Sequence, residues 1–166
     1  MSNHIETRSL AALKQPYFIP AYQRGYRWTH QHVQALLDDI DSFAKHETEG
    51  DDYCLQPVVV VPPEGASGET SYEVVDGQQR LITLYLILKY LKNEAAFSFS
   101  FEKRTKSDTF LKDLSSETLS DENPDFHFMS EAYRCIADWF KGKNEDERTT
   151  FLKVLNDRVK VIWYET

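Results

Sequence analysis

A helix that must be buried on every side dominates the sequence. Between Gln78 and Leu91 the apolar residues fall on all faces of the helical projection, and a helix of this kind belongs in the interior of a domain. A strand predicted over Ser71 to Val75 precedes it, and Asp76-Gly77 breaks that strand. The chain must therefore supply enough further strands and helices to cover a central helix.

The rest of the chain shows the periodicities of both strands and helices. Pro20 biases Ile19 away from helix, which predicts an extended segment over Tyr17 to Arg24. The valine run within Tyr53 to Val61 predicts a strand that is buried on both faces. Further strands are predicted over Phe97–Phe101 and Arg158–Tyr164, and helices over Gln31–Phe43, Ser130–Lys141 and Glu145–Leu155. The expected class is α+β, a single mixed α/β domain over residues 1–166 whose region 103–157 is mainly helical.

The composition is that of one globular domain. The chain has 166 residues, of which 41% are hydrophobic and 28% charged, and this excludes collagen-like and disordered classes. No stretch approaches the roughly 18 apolar residues of a membrane span, and Cys54 and Cys135 are too few for a disulfide framework or a zinc knuckle. We expect a reduced, cytoplasmic protein without membrane contact. Because the chain stops at Thr166 directly after an apolar segment, we also expect it to be the N-terminal part of a longer protein.

The net charge of −8 argues against simple clamping of nucleic acid, but the charge is unevenly distributed. Residues 1–30 contain four basic residues and one acidic residue, whereas residues 31–75 contain one basic residue and ten acidic ones. Two interpretations stay open for the basic N-terminal segment: a local anion site, or a chance cluster.

The sharpest local motif runs from Val74 to Arg80, where a strand passes through a tight turn into the helix. The first turn of a helix presents unpaired N–H groups and the positive end of the helix dipole, which together suit a phosphate. Gly77 permits close approach of a ligand or another backbone, Arg80 adds a forked cation, and Asp76 can hold Mg²⁺. The alternative is a capping box of Asp76 and Gln79, with Arg80 paired at the surface.

A second motif runs from Tyr22 to Trp28 and places Arg24 and Arg27 among three aromatic residues. Guanidinium groups beside aromatic rings can hold a phosphate while a ring stacks on a base. The alternative is that the rings belong to the core and the charges are solvated.

Other candidate residues carry weaker signals. His30 and His32 are two apart at a helix start, so they diverge around the helix axis instead of converging on a metal. Cys54 is interpreted as a small hydrophobic residue of its strand. The acidic residues of the first helix are interpreted as a solvated face: Asp38, Asp39 and Asp41.

Taken together, the two motifs resemble the N-terminal domain of GmrSD-type, modification-dependent restriction endonucleases, also known as domain of unknown function 262. The first motif is Phe-Ile-Pro-Ala-Tyr-Gln-Arg-Gly-Tyr-Arg-Trp at residues 18–28, followed by a helix that contains Leu-Asp-Asp-Ile at 37–40. The second is Tyr-Glu-Val-Val-Asp-Gly-Gln-Gln-Arg-Leu-Ile-Thr-Leu at 72–84. The resemblance is firm over residues 18–91 and looser beyond them.

This resemblance implies a ParB/sulfiredoxin-like fold, a small mixed sheet flanked by helices, in which the second motif opens a helix that binds nucleotide phosphates. Family members hydrolyse nucleoside triphosphates with Mg²⁺, and some recognise modified phage DNA. Cutting is often delegated to an HNH nuclease domain, in cis or on a partner chain. Carried over, the residues that bind nucleotide are Gly77, Arg80, Tyr22, Gln23 and Arg24. Asp76, Gln78 and Gln79 belong to the same nucleotide box, and our hypothesis assigns these three to catalysis, with Asp76 also at the metal.

The sequence departs from the family pattern at Gln56-Pro57, where many members have glycine, and it contains no HNH motif. The main hypothesis is a nucleotide-binding, NTP-hydrolysing regulatory domain of an anti-phage restriction system that does not cut DNA unaided. One of Gln78 and Gln79 would orient the attacking water. The alternatives are a DNA-binding module in which Arg27 and Trp28 contact DNA without nucleotide turnover, a nuclease in its own right, and a purely structural role.

Overall fold

In the computed structural model, residues 4–46, 51–64, 70–92 and 95–166 are described. They form six strands and five α-helices besides one short 3-10 turn over Leu10–Ala12. The strands are β1 (His4–Ser9), β2 (Pro16–Ile19), β3 (Tyr53–Val61), β4 (Tyr72–Asp76), β5 (Ser98–Phe101) and β6 (Val159–Glu165). The helices are α1 (His30–His46), α2 (Gln78–Lys92), α3 (Thr105–Lys112), α4 (Pro124–Lys141) and α5 (Glu145–Asp157). The predicted α+β class is confirmed, while the likeness to the ParB/sulfiredoxin fold stays a prediction.

The six strands form one mixed sheet in the order β1-β6-β3-β4-β2-β5. Strand β2 pairs in parallel with β4 on one side and with β5 on the other, whereas β3 pairs antiparallel with β4 and parallel with β6. Because β2, β4 and β5 run in the same direction, their carboxyl ends meet at one edge of the sheet. In open sheets of this kind, ligands bind in the crevice outside the carboxyl ends of parallel strands.

Helix α2 is the buried centre of the domain, as its sequence predicts. Every residue from Leu81 to Leu88 is buried. The helix packs against α4 and α5, and its Tyr85 makes edge-to-face contacts with Phe97 and Phe99 beside the sheet. The sheet on one side and two helices on the other thus cover the apolar surface that the periodicity exposes.

The sequence-based boundaries differ from the structure at two places. Strand β2 ends at Ile19, so the predicted extended segment that continued to Arg24 is too long; the backbone leaves the sheet at Pro20. Helix α4 begins at Pro124, six residues before the predicted start, because Asn123 caps it by accepting a hydrogen bond from the Phe126 amide (2.8 Å).

Strand β3 is not buried on both faces, which corrects the prediction from its valine run. Its pairing with β6 shifts register between Leu55 and Val58, so that Gln56 and Pro57 form a bulge with exposed side chains. Cys54 precedes the bulge and is also exposed, so it is not packed as a small core residue. The bulge faces the end of β4, where Val59 pairs with Asp76.

Within the described ranges, no helix combines the length and the apolar content that crossing a lipid bilayer requires.

Candidate functional site

Residues from the two sequence motifs line one cleft at the edge where β2 and β4 end. Its volume is about 250 Å³. The segment 20–29, which follows β2, and the turn into α2, which follows β4, form its two walls. The lining residues are Gln23, Arg24, Trp28, Asp76, Gly77, Gln78, Gln79 and Arg80. The structure therefore brings together most of the residues singled out from sequence, although the two motifs lie about fifty positions apart.

The N-terminus of α2 opens at this cleft without a side-chain cap. Gly77 immediately precedes the helix and accepts its first backbone hydrogen bond, from the Leu81 amide (3.0 Å). The amides of Gln78, Gln79 and Arg80 have no hydrogen-bond partner in the described part of the chain. Unpaired first-turn amides carry the positive end of the helix dipole. The alternative of a capping box is wrong, because the Gln79 side chain bonds elsewhere, as shown below.

Glycine is required at position 77 by the backbone and by its neighbours. The φ angle of Gly77 is +96°, a region that L side chains rarely adopt. A Cβ atom there would lie 3.1 Å from Cγ2 and 3.2 Å from Cα of Val58. The close approach predicted from sequence is thus made by β3, which packs directly behind the turn.

Substitution of Gly77 by alanine is expected to destabilise the chain by roughly 1–3 kcal/mol, because it adds backbone strain to a crowded position. Urea unfolding measures this effect. The matched control is Gly142→Ala, since a Cβ atom at Gly142 has no neighbour within 4 Å. Equal unfolding midpoints for the two variants would contradict the account.

Two glutamine side chains fasten the segment 20–29 to the turn. The amide nitrogen of Gln23 donates to the carbonyl of Val75 (2.8 Å) and to that of Val74 (3.3 Å), at the end of β4. The amide nitrogen of Gln78 donates to the carbonyl of Arg24. Gln78 is buried, and its Oε1 atom has no partner among the described residues. One buried hydrogen-bond acceptor beside the cleft therefore has no donor among the described residues.

Gln79 uses both ends of its amide to hold the same segment. Its Oε1 accepts from the Arg27 amide (2.8 Å), and its Nε2 donates to the Gly25 carbonyl (3.3 Å). Nearby, the Tyr26 hydroxyl and the Thr83 hydroxyl are hydrogen-bonded at 2.8 Å inside the core. Gln79 thus orders the cleft wall, because both its amide oxygen and its amide nitrogen bond to the backbone of the segment 20–29.

The Arg80 guanidinium is fixed by the bulge of β3. It donates to Oε1 of Gln56 (3.2 Å) and to the carbonyl of Pro57 (2.8 Å). These are the two positions at which the sequence departs from the family pattern, and both provide Arg80 with neutral acceptors. No carboxylate of the described chain forms an ion pair with it, and its buried Nε has no partner there. Burial lowers the pKa of Arg80, while the nearby charge of Asp76 opposes that shift.

The remaining predicted residues differ in exposure. Arg24 and Asp76 are exposed, and within the described ranges neither forms a hydrogen bond or ion pair through its side chain. Trp28 is half-buried and stacks on the His32 ring, with ring centroids 5.4 Å apart. Tyr22 is 69% exposed and does not line the cleft. Among its described residues, the cleft thus contains one cation, Arg24, and one carboxylate, Asp76, that are not held by a side-chain hydrogen bond or ion pair.

Arg27 points away from the cleft into an ion pair that sequence reasoning missed. Its Nη1 lies 2.7 Å from Oδ1 of Asp125, and Arg104 donates to Oδ2 of the same carboxylate (3.3 Å). Asp125 is only 8% exposed. The motif Asn-Pro-Asp at 123–125 is a helix-start signal that would have placed this carboxylate at the beginning of α4. A contact of Arg27 and Trp28 with DNA stays a prediction.

The two histidines at the start of α1 diverge, as predicted. Nδ1 of His32 lies 3.1 Å from the Thr29 hydroxyl, whereas Nε2 of His30 lies 3.2 Å from a carboxylate oxygen of Glu131.

Comparison with protein families gives a match that spans nearly the whole chain. The model of the GmrSD restriction endonuclease, N-terminal domain, matches residues 6–166. No curated protein matches the sequence significantly. The match includes both motifs that line the cleft. The chain belongs to the family of GmrSD restriction endonuclease N-terminal domains.

Proposed function

We propose that the cleft binds the polyphosphate of a nucleoside triphosphate. The observation that carries this proposal is the N-terminus of α2, whose first amides are unpaired within the described chain, beside the Arg80 guanidinium, which has no carboxylate partner there. A helix N-terminus attracts anions through its amides and its dipole. Arg80 is half-buried between neutral acceptors, and the nearby charge of Asp76 offsets part of its own. Binding of Mg²⁺ by Asp76 would leave the guanidinium charge to attract an anion.

The exposed Arg24 completes the anion site from the opposite wall. A flexible guanidinium without a competing partner can close on phosphate oxygens as the ligand enters. Gln23 and Gln78 keep the backbone of this wall at the helix N-terminus, so Arg24 enters the cleft from an ordered segment.

Asp76 fits the role of the metal ligand. Its carboxylate is exposed and lines the cleft, and Mg²⁺ is usually held by one or two carboxylates together with phosphates and water. The ion would neutralise phosphate charge. The Oε1 of Gln78 has no partner among the described residues but is buried, so Gln78 would orient a water after its side chain turns toward the cleft, whereas Gln79 contributes by holding the cleft wall. In this assignment Asp76, Gln78 and Gln79 support hydrolysis in different ways.

The biological role that we propose follows from the family. In a restriction system, nucleotide binding and turnover in this domain would regulate cutting of DNA by a nuclease domain elsewhere in the protein or on a partner chain. Contact with DNA is then a property of the full-length protein. A DNA-binding cleft on this chain alone is less well supported, since Asp125 neutralises Arg27 and the net charge is −8.

Calorimetric titration with MgATP and MgGTP tests the proposal on the 166-residue chain. Arg24→Ala is expected to weaken binding about tenfold or more, which is the loss of one charge-assisted hydrogen bond. The variant removes no contact of the described fold, so its unfolding midpoint should stay unchanged. Lys153→Ala, which removes an exposed cation on α5, is the control. Equal affinity for wild type and Arg24→Ala would contradict the proposal.

The Asp76→Asn variant distinguishes the contribution of the metal ion to nucleotide affinity from that of the direct phosphate contacts. With Mg²⁺ present, we expect weaker nucleotide binding, because the carboxylate that fixes the ion is lost. With Mg²⁺ chelated, we expect equal or tighter binding, because a negative charge beside the phosphates is removed. The same titrations with Asp138→Asn, an exposed carboxylate of α4, provide the control. A variant that is weakened equally under both conditions would exclude Asp76 as the metal ligand.

A further inference from the structure

A histidine and two carboxylates converge outside the cleft, around the first turns of α4. They are Asp121, His127 and Glu131, and their ligand atoms all lie within 4.8 Å of one another. The closest pair is Nδ1 of His127 and Oδ1 of Asp121, at 2.9 Å. No other group of three such side chains is found among the described residues, and nothing in the proposed nucleotide site uses these three.

The fold holds the three side chains together through local geometry. His127 and Glu131 are four residues apart on α4, so they lie on the same face of the helix. Asp121 lies beside that face because the segment before the helix folds back onto α4. There the fully buried Ser130 hydroxyl donates to the Ser120 carbonyl and accepts from the Ser120 amide, both at 3.0 Å. These two bonds fix the backbone of Ser120, the residue before Asp121.

Two neighbours contact the oxygens of the Glu131 carboxylate. Nε2 of His30 lies 3.2 Å from its Oε2, and Arg134 on the next turn pairs with its Oε1. Each carboxylate oxygen has a second lone pair, so these contacts orient the group and leave it able to bind a cation.

We propose that Asp121, His127 and Glu131 form a zinc site on the surface of this domain. One imidazole with two carboxylates suits Zn²⁺, whereas Mg²⁺ and Ca²⁺ prefer oxygen ligands alone. Ligand atoms about 2.0–2.2 Å from a tetrahedral ion lie roughly 3.3–3.6 Å apart. The partly exposed side chains reach that spacing by rotation, with side-chain exposures of 63% for Asp121, 48% for His127 and 34% for Glu131. Three protein ligands leave a coordination position for water.

Titration of the untagged chain with ZnCl₂, followed by calorimetry and thermal unfolding, tests the site. We expect one Zn²⁺ per chain and a rise in Tm, because an ion bound only by the folded state stabilises it. His127→Ala and Asp121→Asn are expected to weaken zinc binding by about tenfold or more. Both positions are exposed, and neither is a core residue, so the variants should fold. MgCl₂ and CaCl₂ at equal concentration should leave Tm unchanged.

Two control variants exclude other zinc ligands. His46→Ala removes an exposed histidine on α1 that bonds to the Ser42 carbonyl of its own helix, and Cys54→Ser removes the exposed thiol. Both should keep full zinc affinity and the rise in Tm. The proposal is overturned if wild type binds no Zn²⁺, if His127→Ala binds as tightly as wild type, or if Cys54→Ser abolishes binding.

Discussion

Replacing Gly25 with alanine is expected to lower the free energy of unfolding by about 3 kcal/mol. Gly25 is buried, and a Cβ atom at this position would lie 1.9 Å from Oδ1 and 2.7 Å from Cγ of Asp125. Rotating that carboxylate away would break its contacts with Arg27, which holds Oδ1, and Arg104, which holds Oδ2. Overpacking at such a position forces backbone shifts or breaks the ion pair, and both are costly.

Urea unfolding of Gly25→Ala measures this loss, with Gly142→Ala as the matched control. Glycine-to-alanine replacement at an unstrained, open position stabilises a protein slightly by restricting the unfolded chain, so the two variants should change the midpoint in opposite directions. An unchanged midpoint for Gly25→Ala would mean that Asp125 has an alternative position of equal free energy.

The second large effect is expected for Asp125→Ala, which should destabilise the chain by about 1–3 kcal/mol. Removing the shared carboxylate leaves Arg27 and Arg104 without their common partner, and unpaired buried charge is costly. The two arginine side chains are 29% and 38% exposed, so water solvates their charges in part. The expected loss of stability is therefore smaller than for a fully buried ion pair.

The effects of Gly25→Ala and Asp125→Ala on the free energy of unfolding should also be coupled. In the Asp125→Ala background, the two atoms nearest to a Cβ at Gly25 are absent, and Nη1 of Arg27, at 2.9 Å, is the end of a side chain that has lost its partner. Adding Gly25→Ala should therefore cost less than it does in wild type. A double-mutant cycle of the four proteins by urea unfolding should give a coupling free energy of about 1–2 kcal/mol. Strict additivity would show that the clash at Gly25 does not involve Asp125.

These two predictions concern the wall of the cleft. Gly25 lies between Arg24, which lines the cleft, and Arg27, which is anchored to α4. The ion pair therefore connects α4 to the segment that we assign to phosphate binding.

Several features of the cleft could be predicted because they depend on nearby residues. The strand, the turn at Asp76-Gly77 and the start of α2 follow from periodicity and from the conformational freedom of glycine. The burial of α2 follows from apolar residues on every side. Membership of the family followed from two short motifs, and the match over residues 6–166 confirms it.

Other features could not be predicted, because each depends on a partner far away in sequence. Arg27 and Asp125 are 98 positions apart, and no local pattern around either residue identifies the other. The acceptors of Arg80 come from a bulge in β3, a departure from regular pairing that the valine run conceals. Gln79 was assigned to a capping box or to a water, yet it spans to a segment 54 positions earlier.

The amino-acid sequence by itself determined the elements, the buried central helix and the family, since side-chain periodicity and turn chemistry act over a few residues. The tertiary structure decided which charges remain free. It paired Arg27 with Asp125, fixed Arg80 between neutral acceptors, and left Arg24 and Asp76 exposed at the cleft without a partner in the described chain. The physical reason is that a charge is neutralised by whatever group the fold brings within a few ångströms, and sequence separation does not limit that distance.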